Sequence, residues 1–162
     1  MASSLAEDLR ATIESTATQF LKSTARALAA KDPSLFFAVL TPECAHHLRP
    51  LAFITANPFL KAVKSNEEQA AQMASALATM EHTRVGIKEL VIDPITRKAS
   101  VLAEHHTKVV GAETNVLEVT WFLDFTEDGK RISRVTEFID TATAAKRIAD
   151  MKKRGFMKDE GQ

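Results

Sequence analysis

The first part of the chain carries apolar residues at helical spacing. From Ser4 to Lys31 the apolar positions recur every three or four residues, so one apolar stripe runs along a long helix. Ser4 followed by Glu7 has the spacing of a capping box, and we expect the helix to begin there. Asp32 before a proline indicates a new N-cap, which predicts a second, short helix over Pro33–Leu40.

A second helical pattern follows a segment that periodicity does not decide. The stretch Cys44–Pro50 is short and polar, and we interpret it as a short extended strand. Ser65 and Glu68 form another capping box, and the apolar spacing beyond them predicts a helix to about Glu81.

In the second half the period changes to two, which is typical of strands with one buried face. The predicted strands are Arg84–Asp93, Lys98–Val110, Val116–Thr126 and Arg131–Asp140. Tight turns join them, and Asp128-Gly129 is a strong hairpin signal. An antiparallel meander is therefore expected, closed by a helix over Ala142–Arg154.

Composition narrows the class of protein. With 162 residues, 45% of them hydrophobic, we expect one α+β domain over residues 1–157 and a disordered tail at 158–162. Basic and acidic residues number 21 each, so no net charge attracts nucleic acid or an anionic membrane. The N-terminus is polar and no apolar run reaches about 20 residues, which favours a cytoplasmic protein.

Three local stretches add a family resemblance. They are Thr41–Cys44 with His46 and Pro50, Glu118–Phe122 with Phe125, and Gly129–Ile132 running into Glu137–Asp140. They resemble the entry segment, the penultimate strand and the final strand of small fungal SnoaL-like proteins, in the nuclear transport factor 2 superfamily. The resemblance implies a cystatin-like cone, with N-terminal helices packed on a curved antiparallel sheet.

The same resemblance implies a function. Members from meroterpenoid or alkaloid pathways are cofactor-free isomerases that rearrange polycyclic intermediates. Members that resemble scytalone dehydratase use pocket tyrosines, whereas this chain has no tyrosine. That difference weakens a dehydratase interpretation.

Strand alternation selects two candidate catalytic residues. His105 shares a row with Ala103 and Thr107, so its imidazole is expected to face inward, either as a core histidine bonded to a neighbour or as a pocket residue. Glu137 lies between Val135 and Ile139 in an apolar row. A carboxyl group there either has a raised pKa, which suits acid–base catalysis, or is neutralised by a cation such as Arg134.

The remaining candidates would bind substrate. Trp121 belongs to an apolar row and is expected either as a pocket wall or as core, and Glu118 is expected at a rim or interface. His46 and His47 are adjacent, so only one can face the cavity, and the resemblance favours His46 as a further catalytic residue. Arg49 lies two positions after His47, so both point to the same face of the strand. It is expected either at the pocket mouth, holding a substrate oxygen, or in a surface ion pair.

No metal or cofactor is expected. The histidine pairs lack a metal-binding motif such as HExxH, and the chain has no glycine-rich phosphate loop. The only cysteine, Cys44, is expected to be a small buried residue. The basic residues of the last helix, among them Lys146 and Arg147, are expected to form a solvated face.

The sequence thus predicts a cofactor-independent isomerase or cyclase of fungal-type secondary metabolism. It would act by general acid–base catalysis on a bulky, mostly apolar, polycyclic small molecule. A hydrolase or lyase in the same pocket and a noncatalytic binding or scaffold subunit remain alternatives. A homodimer is also expected, because one layer of helices can cover only one face of the sheet.

Overall fold

A six-stranded curved sheet forms the body of the molecule. The computed structural model describes residues 2–157, and the predicted tail at 158–162 lies outside them. The strands are β1 (Leu40–Arg49), β2 (Val63–Lys64), β3 (Met80–Asp93), β4 (Lys98–Val109), β5 (Asn115–Phe125) and β6 (Ile132–Ile139). Their order is β2-β1-β6-β5-β4-β3, in which β1 and β6 run parallel and the other pairs are antiparallel. The predicted α+β cone with its long meander is confirmed.

The helices are more numerous than the sequence pattern indicates. They are α1 (Ala2–Leu21), α2 (Ser23–Ala30), a 3-10 helix (Pro33–Phe37), α3 (Leu51–Ala56), α4 (Asn66–Thr79) and α5 (Thr141–Lys153). Among residues 2–157, no helix is long and apolar enough to cross a membrane.

The first predicted helix is divided in two. Helix α1 already runs from Ala2, so Ser4 lies within the helix and the predicted cap at Ser4 is wrong. The division falls at Lys22, next to Ser23, whose hydroxyl donates to the carbonyl oxygen of Phe20 at 2.5 Å. A serine that bonds back to its own helix competes with the helical pattern and bends it.

Two other boundaries differ from the prediction. The short helix after Asp32 ends at Phe37, and β1 begins at Leu40 rather than near Cys44. Helix α4 keeps the predicted capping box of Ser65 and Glu68, but it ends at Thr79, where the chain continues directly into β3. Helix α3 and β2, in the segment between β1 and α4, were not predicted because that segment has no clear period.

The core lies between the helices and the inner face of the sheet. Ile13 and Phe20 of α1 are buried against Val101, Leu123 and Val135 of the strands. Burial alternates along β4 and β5, as the period of two predicts. Within residues 2–157 no helix layer covers the opposite, outer face of the sheet, which keeps exposed aromatic rings at Phe122 and Phe138.

The turn between β5 and β6 anchors this sheet to α1. Gly129 has a φ of 71°, which favours glycine, and its carbonyl oxygen accepts a hydrogen bond from the Thr16 hydroxyl at 2.8 Å. A Cβ atom at this position would lie 3.0 Å from side-chain atoms of both Leu9 and Ile13. The predicted Asp-Gly turn is therefore confirmed, and glycine is required there by packing as well as by backbone conformation.

Candidate functional site

A small cavity lies inside the cone, between the inner face of β1, β6 and β5 and the helical layer. Its volume is about 20 Å³, room for about one water molecule. The residues around it are Phe20, Phe36, His46, His47, Leu48, Lys64, Gln69, Trp121, Val135 and Glu137. A drug-sized ligand needs roughly 300 Å³ or more, so it can enter only if part of this lining moves.

Glu137 is the acidic group of the cavity. Neighbouring strands place it between Leu48 of β1 and Trp121 of β5, both of which also line the cavity. Desolvation raises the pKa of its carboxyl group, although the positive charges of Lys64 and Arg147 partly oppose this. Glu137 keeps some accessible surface, because the cavity reaches it. The carboxyl is thus removed from bulk water but remains accessible to a bound molecule.

The ion pair proposed as an alternative for Glu137 is not present. The Arg134 guanidinium instead lies 2.7 Å from a carboxylate oxygen of Asp124, and the two residues belong to the outer rows of β6 and β5. Within residues 2–157, no ion pair or hydrogen bond neutralises the Glu137 carboxyl. The apolar row predicted by strand alternation does place Glu137 inside, as expected.

Two cations that face Glu137 were not predicted as site residues. Lys64, in the two-residue strand β2, lines the cavity and contacts the side-chain oxygen of Gln72. Arg147 projects from α5 and, contrary to the predicted solvated face, is largely removed from water. Desolvation lowers the pKa of both groups, and the negative charge of Glu137 acts in the opposite direction. Both can therefore stabilise negative charge that develops beside Glu137.

His46 is buried on the inner face of β1, two positions along the strand pair from Glu137. Its Cα partner on β6 is Val135, whereas Glu137 pairs with Leu48. Strand rise and spacing then put the Cα atoms of His46 and Glu137 about 8 Å apart. Burial is the main reason that the pKa of His46 is lowered, so the ring is neutral at pH 7.

Three groups hold the His46 ring in place. Its Nε2 atom lies 2.8 Å from Oδ1 of Asn66, at the start of α4. The Phe36 ring stacks on it, with the ring centroids 6.3 Å apart, and the Phe37 ring meets it edge-on at 6.5 Å. An imidazole fixed in this way is suited to proton transfer in a defined direction.

His105 faces inward as predicted, but it stands behind Trp121 and does not line the cavity. The indole Nε1 of Trp121 donates a hydrogen bond to Nε2 of His105 at 3.0 Å. Burial, with smaller contributions from the charges of Arg147 and His106, lowers the pKa of His105 to about 4. His105 is therefore a neutral acceptor that orients the indole, and its role as a direct proton-transfer group is not supported by this position.

Trp121 lines the cavity and also belongs to the buried core, so it combines the two positions that the sequence left open. It is 8% exposed and meets the Phe20 ring edge-on at a centroid distance of 5.3 Å. Because His105 occupies its only hydrogen-bond donor, the indole offers a ligand an apolar surface and no free polar group.

The other predicted binding residues are not brought together in the cavity. Arg49 and Glu118 do not line it. The Arg49 guanidinium donates to the carbonyl oxygen of Leu48 at 2.8 Å, and Glu118 is exposed on the outer row of β5 opposite Glu104. Arg49 lies three positions after His46, so it points to the opposite face of β1. Its position at the pocket mouth stays a prediction.

His47 has an intermediate position. It borders the cavity, but desolvation and the charges of Arg49 and Arg134 lower its pKa, and those two arginines belong to the outer face. Of the two adjacent histidines, His46 is therefore the one whose ring is directed inward.

Gln69 is a cavity residue that sequence reasoning missed. Its Oε1 atom is buried and has no hydrogen-bond partner among the residues that the structure describes. A buried acceptor of this kind is completed by a donor, such as a hydroxyl group of a bound molecule or water. Gln69 follows Asn66 by three positions, so both lie on one face of α4, and this spacing is the only signal in the sequence.

The described residues offer no arrangement for a metal ion. Within residues 2–157, no group of three or more His, Cys, Asp or Glu side chains is placed to hold one. Cys44 is buried, and desolvation raises the pKa of its thiol to about 11, so it is not an activated nucleophile.

Comparisons with known proteins agree with this fold. No protein-family model matches the chain. The chain is similar to the BvnE pinacolase from Penicillium brevicompactum, with a TM-score of 0.78, 17% identity, and coverage of 90% of this chain and 94% of that one. It is also similar to PrhC from Penicillium brasilianum, with a TM-score of 0.77, 16% identity, and coverage of 93% and 94%. A protein with a cystatin-like fold from Methylobium petroleophilum gives a TM-score of 0.61 at 19% identity, covering 80% and 76%.

One curated relative is similar in sequence. The chain is 32% identical over 80 residues to a protein named monooxygenase AacuO from Aspergillus aculeatus. The match covers 49% of this chain and 49% of that relative, so it spans about half the length of each. The cystatin-like fold that the resemblance implied is thus confirmed.

Proposed function

We propose that the protein is a cofactor-independent isomerase or cyclase that acts by general acid–base catalysis. Its substrate would be a bulky, mostly apolar, polycyclic intermediate of a fungal-type secondary pathway, such as that of a meroterpenoid. The observation that carries the proposal is the carboxyl of Glu137, which faces the cavity, is desolvated and makes no ion pair within residues 2–157. A carboxyl with a raised pKa can donate a proton at neutral pH and accept it again.

In this mechanism His46 acts as the base and Glu137 as the acid. His46 would remove a proton from the substrate while Glu137 delivers a proton to another position, so that the composition of the substrate is unchanged. Lys64 and Arg147 would stabilise the carboxylate that remains, as well as negative charge on a substrate oxygen. A proton passing from His46 to Glu137 through solvent restores both groups.

The remaining lining would orient the substrate. The Trp121, Phe20 and Phe36 rings offer apolar surface to a ring system. Oε1 of Gln69 would accept a hydrogen bond from a substrate hydroxyl group. The similarity to a structure named a pinacolase supports an enzyme in this fold rather than a scaffold subunit.

Product mass tests the reaction class. Deleting the gene in its source organism should lead to accumulation of the substrate, identified by mass spectrometry of extracts. The purified protein should convert that compound into a product of the same mass. A gain of one oxygen atom would favour the reaction named for the curated relative, and a gain or loss of water would favour the hydrolase or lyase alternative.

We also propose that two copies associate through the outer face of the sheet. Phe122 and Phe138 each leave 46% of their surface exposed there, on adjacent strands. Half-buried Leu102 and Thr120 lie beside these rings on the same face. A patch of this composition is suited to a two-fold contact between identical surfaces.

A further inference from the structure

The amide group of Asn66 has a fixed orientation. Its Nδ2 atom donates to the backbone carbonyl oxygens of Thr41 at 2.8 Å and Pro42 at 3.1 Å. Both amide hydrogens are thereby used, and a flipped amide would set its oxygen against two carbonyl oxygens. Oδ1 must therefore be the atom directed at His46, and it can only accept a hydrogen bond.

This orientation determines which nitrogen of His46 carries the proton. Because Oδ1 of Asn66 is an acceptor, Nε2 of His46 must be the donor across the 2.8 Å contact. Burial keeps the ring neutral, so Nδ1 has no proton and holds a lone pair. Among the described residues, Nδ1 makes no hydrogen bond.

Nδ1 is the one ring nitrogen left to exchange a proton with the cavity. His46 lines the cavity, and its Nε2 is occupied by Asn66, which does not line it. Phe36 and Phe37 pack on the ring and oppose its rotation. An amide oxygen thus plays the part that a carboxylate plays for the histidine of a hydrolytic triad, without adding a negative charge.

We infer that Asn66 is a positioning residue that holds His46 in the Nε2–H form and thereby makes Nδ1 the basic atom facing the cavity. This rests on the proposed role of His46 as a base. Asn66 itself would touch no substrate. An amide partner, unlike a carboxylate, does not stabilise the imidazolium with a full charge, so His46 stays unprotonated and ready to accept a proton.

Nitrogen-15 NMR of the imidazole rings tests the inference without any substrate. In the unsubstituted protein at pH 7, His46 should show a protonated Nε2 and an unprotonated Nδ1. His105 should show the opposite pattern, because the Trp121 indole can only donate to its Nε2. A protonated Nδ1 on His46 would overturn the inference, and this spectrum decides the question even if no variant folds.

Substitution then tests the link to Asn66. Asn66→Asp places a carboxylate beside Nε2 and should raise the pKa of His46, followed by NMR titration, by about 1 or more. Asn66→Leu removes the acceptor and should lower that pKa, with loss of the hydrogen-bonded Nε2 proton signal. An unchanged titration in Asn66→Asp would contradict the inference.

Ser65→Ala is the matched control. It removes the N-cap of the same helix, where Ser65 Oγ accepts from the Glu68 amide at 3.2 Å, but leaves the contact with His46 intact. It should reduce stability, by about 1 kcal/mol, and leave the His46 tautomer and pKa unchanged. Full turnover in Glu137→Gln would instead contradict the proposed function. A failure of the proposed function is therefore distinguishable from a failure of the inference about Asn66.

Discussion

The two faces of the sheet handle charge in opposite ways. On the outer face the charged side chains form exposed ion pairs, such as Lys88 with Glu104 at 3.0 Å and Arg134 with Asp124 at 2.7 Å. On the inner face, the Glu137 carboxyl is removed from water and faces two cations that are also desolvated, with no ion pair among them in the described chain. Exposed pairs contribute little to stability, whereas a buried charge without a hydrogen-bonded partner is costly.

Under the proposed function the inner face is the reactive one. Glu137 is not paired directly with Lys64 or Arg147, whereas the outer face pairs its own charges. The proposal requires that the proton of Glu137 can be transferred.

The largest effect should follow from Glu137→Gln. The substitution keeps the shape of the side chain but removes the transferable proton, so turnover should fall by about 10²-fold or more. Glu104→Gln, a carboxylate of the outer face, is the matched control and should keep turnover. Turnover of both variants is measured as the steady-state rate on the compound that accumulates when the gene is deleted. Equal losses in the two variants would remove the distinction between the faces.

The next largest effect should distinguish the two inward histidines by their influence on turnover. His46→Gln should lower turnover by about 10²-fold, because the ring lines the cavity and is the proposed base. His105→Gln should have a smaller effect, since the amide can still accept from the Trp121 indole. The split is measured with the same assay. A larger loss in His105→Gln would return the catalytic role to His105.

Acid should destabilise the protein through His105. Its pKa is about 4 when folded against 6.5 unfolded, so the unfolded state binds the extra proton between these values. The contribution of neutral His105 to the free energy of unfolding is complete above pH 6.5. It is lost as the pH falls toward 4, and the loss is on the order of 3 kcal/mol. Glu137 has the opposite effect. Its pKa is raised in the folded state, so the stability that its protonated form contributes to the fold is lost as the pH rises.

Comparison with a variant isolates the contribution of His105. Urea unfolding at several pH values, followed by fluorescence of Trp121, the only tryptophan, should give a steeper acid loss for the unsubstituted protein than for His105→Gln. Parallel curves would show that His105 does not stay neutral in the folded state.

The smallest effect on turnover should come from the outer face. Light scattering should give about twice the 17.8 kDa mass of one chain, and Phe122→Ser with Phe138→Ser should shift it toward one chain. Turnover should stay within a few-fold, because neither ring borders the cavity. A monomer before substitution would refute the proposed contact.

Strand alternation explains which site residues the sequence could predict. Glu137 and Trp121 were placed inside because their neighbours at i±2 are apolar, and His105 because its row also contains the apolar residues Val101, Ala103 and Val109. Lys64 and Gln69 come from elements that only tertiary packing brings to the cavity. The inward direction of Arg147 depends on how α5 lies against the sheet, which one helical stripe does not reveal.

The small volume of the cavity has a kinetic consequence. Phe36 stands on a 3-10 helix, whose hydrogen bonds are poorer than those of an α-helix, and its ring helps to fill the space that a ring compound would need. Under the proposed function, binding then selects the fraction of molecules in which part of this lining has moved apart. The apparent dissociation constant equals the intrinsic one divided by the fraction of such molecules. If one molecule in a hundred is open, affinity is about 100-fold weaker than the contacts alone would give. Replacing Phe36 by a smaller apolar residue would therefore raise the open fraction and make substrate binding faster, even while it loosens the core.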